Sequence, residues 1–255
     1  MIYLFKDSAL ASMECFVDRA TLFAFDLDGT LAPIVPDPGN IGIPEAVRKE
    51  LAILNKSMNV AVITGRSCDD ARSHLGISPR YLIGNHGAEG LAEWRMREKE
   101  FSRTADSWQD QLTLLLPFND RHGISIENKG TTLSIHYRYA DNIEVAHASI
   151  LRAIHKLVPR PRRVSGKCIE NLIPENAPDK GIALKILMRQ AACPKGFFAG
   201  DDETDEDVFR LDDENIFTVQ IGGKSGSRAK FYLKDQHEIT RLLREINKIA
   251  KRIKR

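Results

Sequence analysis

Thr21-Leu22-Phe23-Ala24-Phe25-Asp26-Leu27-Asp28-Gly29-Thr30 is the stretch that decides the fold. Its first five residues form a short apolar, β-rich run with no polar alternation, which predicts a strand covered on both faces of a parallel sheet. The run stops at Asp26, so two carboxylates, a glycine and a hydroxyl follow at the strand's carboxyl end. Ligands of open α/β sheets bind at that edge. Asn59-Val60-Ala61-Val62-Ile63 repeats the pattern and turns at Thr64-Gly65-Arg66, and Tyr81-Leu82-Ile83-Gly84 repeats it again. Pro44-Glu45 opens a helix with Val47, Leu51 and Leu54 on one face, and a polar helix spans Ser67 to Leu75. Strand followed by helix predicts the α/β class, with a Rossmann-like parallel sheet core.

The middle of the chain has another rhythm. A helix is expected near Ser107 to Leu116, and an antiparallel hairpin from His122–Asn128 and Thr131–Tyr139 across Lys129-Gly130. A helix over Asp141 to Leu157 puts Ile143, Ala146, Ile150, Ile154 and Leu157 on one buried face, and two short strands follow near Arg163–Ser165 and Lys167–Leu172. These elements predict an inserted α+β module over residues 103–174, with hinges near Phe101–Asp106 and Pro174–Asp179. The core then comprises residues 1–102 and 175–255. It resumes with a helix from Lys180 to Gln190, a strand Gly196–Ala199, a helix through Val208 and a strand Ile216–Ile221.

Composition removes several classes. The 255 residues carry 37 Lys and Arg against 35 Asp and Glu, with 42% hydrophobic and 28% charged residues. That is a globular chain able to bury a core, not a disordered, collagen-like or disulfide-stapled one. No apolar run approaches the ~18 residues of a membrane span, and the first residues show no signal-peptide pattern. The four cysteines, Cys15, Cys68, Cys168 and Cys193, form no CxxC pair; they are expected to be reduced, mostly buried thiols in a cytoplasmic protein. The last fifteen residues carry seven basic groups and one acid. Their stripe of Leu242, Ile246, Ile249 and Ile253 predicts an amphipathic helix packed on the core with a solvated basic face. The tail has no interleaved aromatic residues, so neither a nucleic acid nor a membrane is expected as partner.

Four pieces carry chemistry. A carboxylate at the position of Asp26 can attack phosphorus, and a second at Asp28 can protonate a leaving oxygen and later deprotonate water. The acidic run Gly200-Asp201-Asp202-Glu203-Thr204-Asp205-Glu206-Asp207 follows another apolar strand; such crowding suits a hard cation with oxygen ligands. Its last acids, Glu206 and Asp207, fit the first turn of a helix. Thr64, with the next backbone N–H, can bind a phosphoryl oxygen, and Lys180 at a helix start can neutralise nucleophile and phosphate. Gly222-Gly223-Lys224-Ser225-Gly226 lacks phosphate-loop spacing and reads as a turn after the last strand.

In order, Asp26-Leu27-Asp28-Gly29-Thr30, Thr64, Lys180 and Gly200-Asp201-Asp202 resemble the four motifs of haloacid dehalogenase-type phosphotransferases. Leu31-Ala32-Pro33-Ile34, Ile63-Thr64-Gly65-Arg66, Gly84-Asn85-His86-Gly87-Ala88-Glu89, His136-Tyr137-Arg138 and Gly200 to Glu206 further resemble trehalose-6-phosphate phosphatases, over about Thr21 to Gly223. The resemblance implies a haloacid dehalogenase-like core with a mobile cap that closes over a sugar. It implies Asp26 as nucleophile, Asp28 as general acid/base, and Thr64 and Lys180 as holders of the phosphoryl group. Mg²⁺ would be bound by Asp26, Asp201 and the main-chain carbonyl of Asp28, with Asp202 or Asp205 in or near the outer shell. Substrate contacts are implied for Thr30, Gly65, Arg66, Asn85, His86, Gly87 and Arg138, and sugar contacts for Glu127, Lys129, Lys167 and Glu170. One departure stands out: from Glu170 the chain reaches Pro174 in four residues, where the family usually takes three.

The expected reaction is hydrolysis of trehalose 6-phosphate through an aspartyl phosphate, with a functional pairing to a trehalose-phosphate synthase. The alternatives are a phosphatase of sucrose phosphate, a mannosyl phosphoglycerate or a hexose phosphate, and a non-catalytic sugar-phosphate sensor or scaffold. Intact Asp26, Asp28, Lys180 and Asp201 argue against the last.

Overall fold

The structure, a computed structural model, describes residues 1–36, 38–116 and 122–254. In chain order the elements are β1 (Ile2–Tyr3), α1 (Asp7–Phe16), β2 (Thr21–Phe25), α2 (Glu45–Asn55), β3 (Asn59–Ile63), α3 (Cys68–Leu75) and β4 (Tyr81–Ile83). Then come α4 (Arg95–Leu115), β5 (Ser125–Asn128), β6 (Leu133–His136), α5 (Ile143–His155), β7 (Pro161–Gly166) and β8 (Ile169–Pro174). The chain ends with α6 (Lys180–Gln190), β9 (Lys195–Gly200), α7 (Glu206–Phe209), β10 (Ile216–Ile221), β11 (Phe231–Leu233) and α8 (Ile239–Lys254). They form two compact units: Met1–Gly87 with Pro178–Arg255, and Ala88–Ala177.

Among the described residues of the first unit, the strands order β1-β11-β10-β9-β2-β3-β4, and every pairing is parallel. Every residue of β2 is buried, as its unbroken apolar run requires. Phe25 lies level with Val62 of β3 and with Ala199 of β9. The carboxyl ends of three adjacent strands therefore stop at one edge, with Asp26, Thr64 and Asp201 just beyond them. Phe23, Phe25, Phe197 and Phe217 pack with Leu51 and Leu54 of α2 and with Leu242, Leu243 and Ile246 of α8 in one core. Burying each such side chain contributes about 2 kcal/mol.

The basic tail is thus an anchored helix. Its basic face is in part neutralised: Arg244 pairs with Glu50 and Arg252 with Glu14, while Arg241 stacks on Phe5 at 3.9 Å. Its last residue, Arg255, lies outside the described residues.

In the second unit an antiparallel sheet orders β5-β6-β8-β7. Trp108 and Leu112 of α4 and Ile150 of α5 pack against Leu133, Ile135 and Leu172. Several expectations need correction. The helix expected from Ser107 begins at Arg95, with Phe101, Ala105, Trp108 and Leu112 buried along it. The expected hinge at Phe101–Asp106 therefore falls inside α4, and the unit runs over Ala88–Ala177 where residues 103–174 were expected. Ile143, at the first turn of α5, is 44% exposed and off the buried face. The strand expected from Lys167 starts at Ile169, because Cys168 takes a left-handed turn conformation (φ +59°). The helix through Val208 is four residues long, after a 3₁₀ turn over Glu203–Asp205. A further strand, β11, follows the glycine-rich turn, so β10 is not the last. Cys68 and Cys193 are buried, but Cys15 is exposed and Cys168 half-buried; all four are free.

Candidate active site

Asp26 is the first residue beyond β2, and its N–H donates to the Ala199 carbonyl at 2.9 Å. That bond ties its backbone to the neighbouring strand and leaves the carboxylate at the sheet edge, 3% exposed. Lys180 opens α6, whose first turn is capped by Asp179 accepting the Ile182 N–H at 2.7 Å. Its ammonium, 1% exposed, donates to Asp26 Oδ1 at 2.9 Å and to Asp205 Oδ1 at 2.8 Å, and stands 3.8 Å from Asp202 Oδ1. Asp205 Oδ2 accepts the N–H groups of Asp201 and Asp202, at 2.7 and 3.0 Å. Both oxygens of Asp205 are therefore engaged, and its side chain fixes Lys180 and the acidic loop together.

The acidic residues are crowded. Carboxylate oxygens of Asp26, Asp201 and Asp205 all lie within 4.8 Å of one another. Gly29, at φ +81°, leaves the space: a Cβ there would sit 2.2 Å from Asp201 Oδ2. A Cβ on Gly200 would sit 2.2 Å from Asp205 Cγ. The Thr30 hydroxyl donates to Asp201 Oδ1 at 3.2 Å.

Burial raises the pKa of Asp26 well above the carboxylate range; Lys180 opposes the rise and the neighbouring carboxylates add to it. Burial and Asp202 push Asp201 up to about 6, against Lys180 and Lys224. Burial pushes Asp205 up to about 7, with Lys180 opposing and Asp202 reinforcing. Burial also works against Asp202, but Lys180 and the Thr204 hydrogen bond outweigh it and hold that carboxyl low. One lysine among four carboxylates leaves negative charge in surplus. The arrangement suits a divalent cation with hard oxygen ligands, and Asp26, Asp201 and Asp205 offer carboxylate oxygens close enough to share one.

Asp28 is turned to another partner. Its Oδ2 and Oδ1 accept Nε and Nη2 of Arg66, both at 2.7 Å, in a bidentate pair. Arg66 Nη1 reaches Asp70 Oδ2 at 2.7 Å, one helical turn along. Thr64, fully buried, accepts the Arg66 N–H on its hydroxyl and the His86 N–H on its carbonyl. Asn85, His86 and Gly87 form a left-handed turn at φ +51°, +59° and +114°. Such backbone costs of order 1 kcal/mol for each non-glycine residue, and it packs the His86 ring on Gly65, whose missing Cβ would lie 2.4 Å from the ring.

The remaining expected contacts are residues of the second unit. Glu127 on β5 pairs with His136 at 2.8 Å, Lys129 occupies the β5–β6 turn, Arg138 follows β6, and Lys167 sits exposed in the β7–β8 turn. Glu170 does not fit the expected sugar contact. It is fully buried, on the sheet face of Leu172 that packs on α5. One oxygen meets His147 at 2.8 Å; the other accepts from Ser165 at 2.8 Å and from Arg163 at 3.2 Å. Strand register instead aligns Asn171 with Ser134 and Glu127 on the opposite face, where Asn171 Oδ1 accepts the Ser134 hydroxyl at 2.7 Å. The extra residue before Pro174 was the signal for that shift, since one position along a strand reverses the side chain.

Two site neighbours escaped the sequence reading. Asp70 was legible from its helical spacing to Arg66. Lys224, whose ammonium donates to the Asp201 carbonyl at 2.8 Å, carried no local signal.

Comparison with known proteins follows the same outline. Trehalose-phosphate phosphatase B of Arabidopsis thaliana is 27% identical over 203 residues, covering 73% of this chain and 54% of that protein. The chain spans 54% to 74% of the length of such curated relatives. The fold matches the C-terminal domain of Candida albicans trehalose-6-phosphate phosphatase with a TM-score of 0.70 at 20% identity, covering 98% of both chains. It also matches the Synechocystis sucrose-phosphatase, crystallised with sucrose and phosphate, at 0.59 and 19% identity, covering 91% of this chain and 98% of that one. The family model described as trehalose-phosphatase matches residues 24–237, most of the chain and all four motifs, and the protein belongs to that family.

Proposed function

We infer that the chain hydrolyses the phosphate ester of trehalose 6-phosphate, releasing trehalose and phosphate, with Mg²⁺ as its divalent cation. The observation that carries the reading is the buried Asp26–Lys180–Asp205 bridge with Asp201 beside it, in a chain of this family. Asp26, Asp201 and the main-chain carbonyl of Asp28 would hold the cation, which offsets charge on the phosphoryl oxygens when bound. Asp202 and Asp205 stand behind these ligands.

Asp26 supplies the attacking oxygen. Its bond to phosphorus forms as the ester P–O bond breaks, and the departing sugar oxygen takes a proton from Asp28. Asp28 then takes a proton from water, whose oxygen displaces Asp26 and frees phosphate. Because Arg66 holds both oxygens of Asp28, this cycle requires Asp28 to exchange that pair for a proton. Lys180 offsets the charge of Asp26, so a dianionic ester can approach it. Thr64 and the Gly65 N–H bind a phosphoryl oxygen, with Thr30 and the Asn85-His86-Gly87 turn supporting that edge.

Glu127, Lys129, Arg138 and Lys167 contact sugar hydroxyls on this reading. The inward position of Glu170 keeps one rival in view, the same chemistry on sucrose phosphate, a mannosyl phosphoglycerate or a hexose phosphate. A cytoplasmic setting, in keeping with four free cysteines, and supply of substrate by a trehalose-phosphate synthase belong to the same proposal. Phosphate release across that panel, with Mg²⁺ and with chelator, tests it. Trehalose 6-phosphate should be turned over fastest and the chelator should abolish release. Preference for another ester overturns the substrate, and no release from any ester overturns the enzyme.

A further inference from the structure

Gly222-Gly223-Lys224-Ser225-Gly226 follows β10, next to the strand that ends in the acidic loop. Gln220, 1% exposed, lies level with Gly200 of β9, and its Oε1 accepts the Lys224 N–H at 3.0 Å. Gly222 donates its N–H to the Leu233 carbonyl at 3.0 Å, and the left-handed backbone of Gly222 and Gly223 (φ +95° and +61°) reverses the chain. The turn sends the exposed Lys224 side chain back over the acidic loop, where Nζ donates to the Asp201 carbonyl at 2.8 Å.

Asp201 is then held at three points. Its N–H is bound by Asp205, its carboxylate by Thr30 and its carbonyl by Lys224. The first and last fix the peptide groups on either side of its Cα, and so fix the direction of its side chain. Asp205 also anchors Lys180, whereas Lys224 approaches from outside the buried cluster and carries no other bond from its ammonium among those described.

We propose that Lys224 is a positioning residue that aims the Asp201 carboxylate at the divalent cation shared with Asp26. The proposal rests on the reading of Asp26 and Asp201 as cation ligands. Electrostatics alone predicts the opposite sign: an ammonium near the site repels a cation, so its removal would strengthen binding. The direction of the change separates positioning from charge.

The test uses the full chain, stripped with chelator and titrated with Mg²⁺ by calorimetry. Lys224→Met should raise the Mg²⁺ Kd roughly three- to tenfold, the worth of one hydrogen bond. Lys224→Arg, which keeps a donor and the charge, should bind as the parent does. Parent-like or tighter binding by Lys224→Met overturns the proposal. Equal weakening by both variants also overturns it, since any disturbance of the loop would give that result. Asp201→Asn, run alongside, should abolish the binding heat; if it binds Mg²⁺ as the parent does, the cation-site reading itself fails, whatever Lys224 does.

Discussion

Asp26 in the first unit and Glu170 in the second are both buried carboxylates, 3% and 0% exposed, yet their surroundings are opposite. Around Asp26 stand Asp201, Asp202 and Asp205, with Lys180 as the buried cation among them. Glu170 has no carboxylate beside it in its own hydrogen-bond set; it meets His147, Arg163 and Ser165, and His147 in turn stacks on Tyr137. A buried charge is tolerated when donors saturate it, and is expensive when like charges crowd it. The saturated carboxylate is architecture. The crowded group leaves a surplus of negative charge that suits a divalent cation.

The comparison predicts, first, a gulf in activity. Asp26→Asn should lower phosphate release by about 10⁴-fold or more, as loss of a nucleophile does, with the fold intact by circular dichroism. Glu170→Gln should leave turnover within about threefold, since a group that touches no reacting atom contributes little to the barrier. Similar losses in both would end the distinction.

The second prediction concerns pH. Asp201 and Asp205 have pKa values raised to about 6 and 7 in the folded chain. A carboxyl raised above its unfolded value contributes stability below that unfolded value, and the contribution is lost as pH rises through the folded one. Asp202, held low, stays ionised across this window. The metal-free protein should therefore lose about 4 kcal/mol between pH 5 and 7.5, and Mg²⁺ should restore it at pH 7.5. Thermal melts with and without chelator measure this; a melting point that is flat or rising over that range in chelator would contradict the crowding.

The smallest expected effect is on the stability of the second unit. Glu170→Gln should cost about 1–2 kcal/mol in urea unfolding, from weakened charged hydrogen bonds. His147 and Arg163 are 38% and 45% exposed, so they regain water when the charge is removed. A loss well beyond that would mean the network is less solvated than its exposure implies.

Local pattern carried much of the architecture. Unbroken apolar runs at Thr21–Phe25 and Asn59–Ile63 identify strands because a doubly covered strand has no polar face to alternate with. Lys180–Gln190 was legible from its capping Asp179 and periodic apolar residues. Two- and three-residue strands such as Ile2–Tyr3 and Phe231–Leu233 are too short to leave such a pattern, and form because they pair with each other at the sheet edge. The N-terminal half of α4 was readable from Phe101, Ala105, Trp108 and Leu112, but its charged surface masked the spacing.

By itself the sequence determined the sheet class, the order of the motifs and the identity of the carboxylate, hydroxyl and ammonium groups within them. These follow from neighbours within a few residues. Tertiary structure alone decided which of them share a partner: Lys180 joins Asp26 across 154 positions and Asp205 across 25. It also turned Glu170 inward by one step of strand register and brought Lys224 onto Asp201. Contacts of that range depend on how strands align and turns reverse. No local periodicity encodes them, because the energy that selects them comes from packing the whole sheet at once.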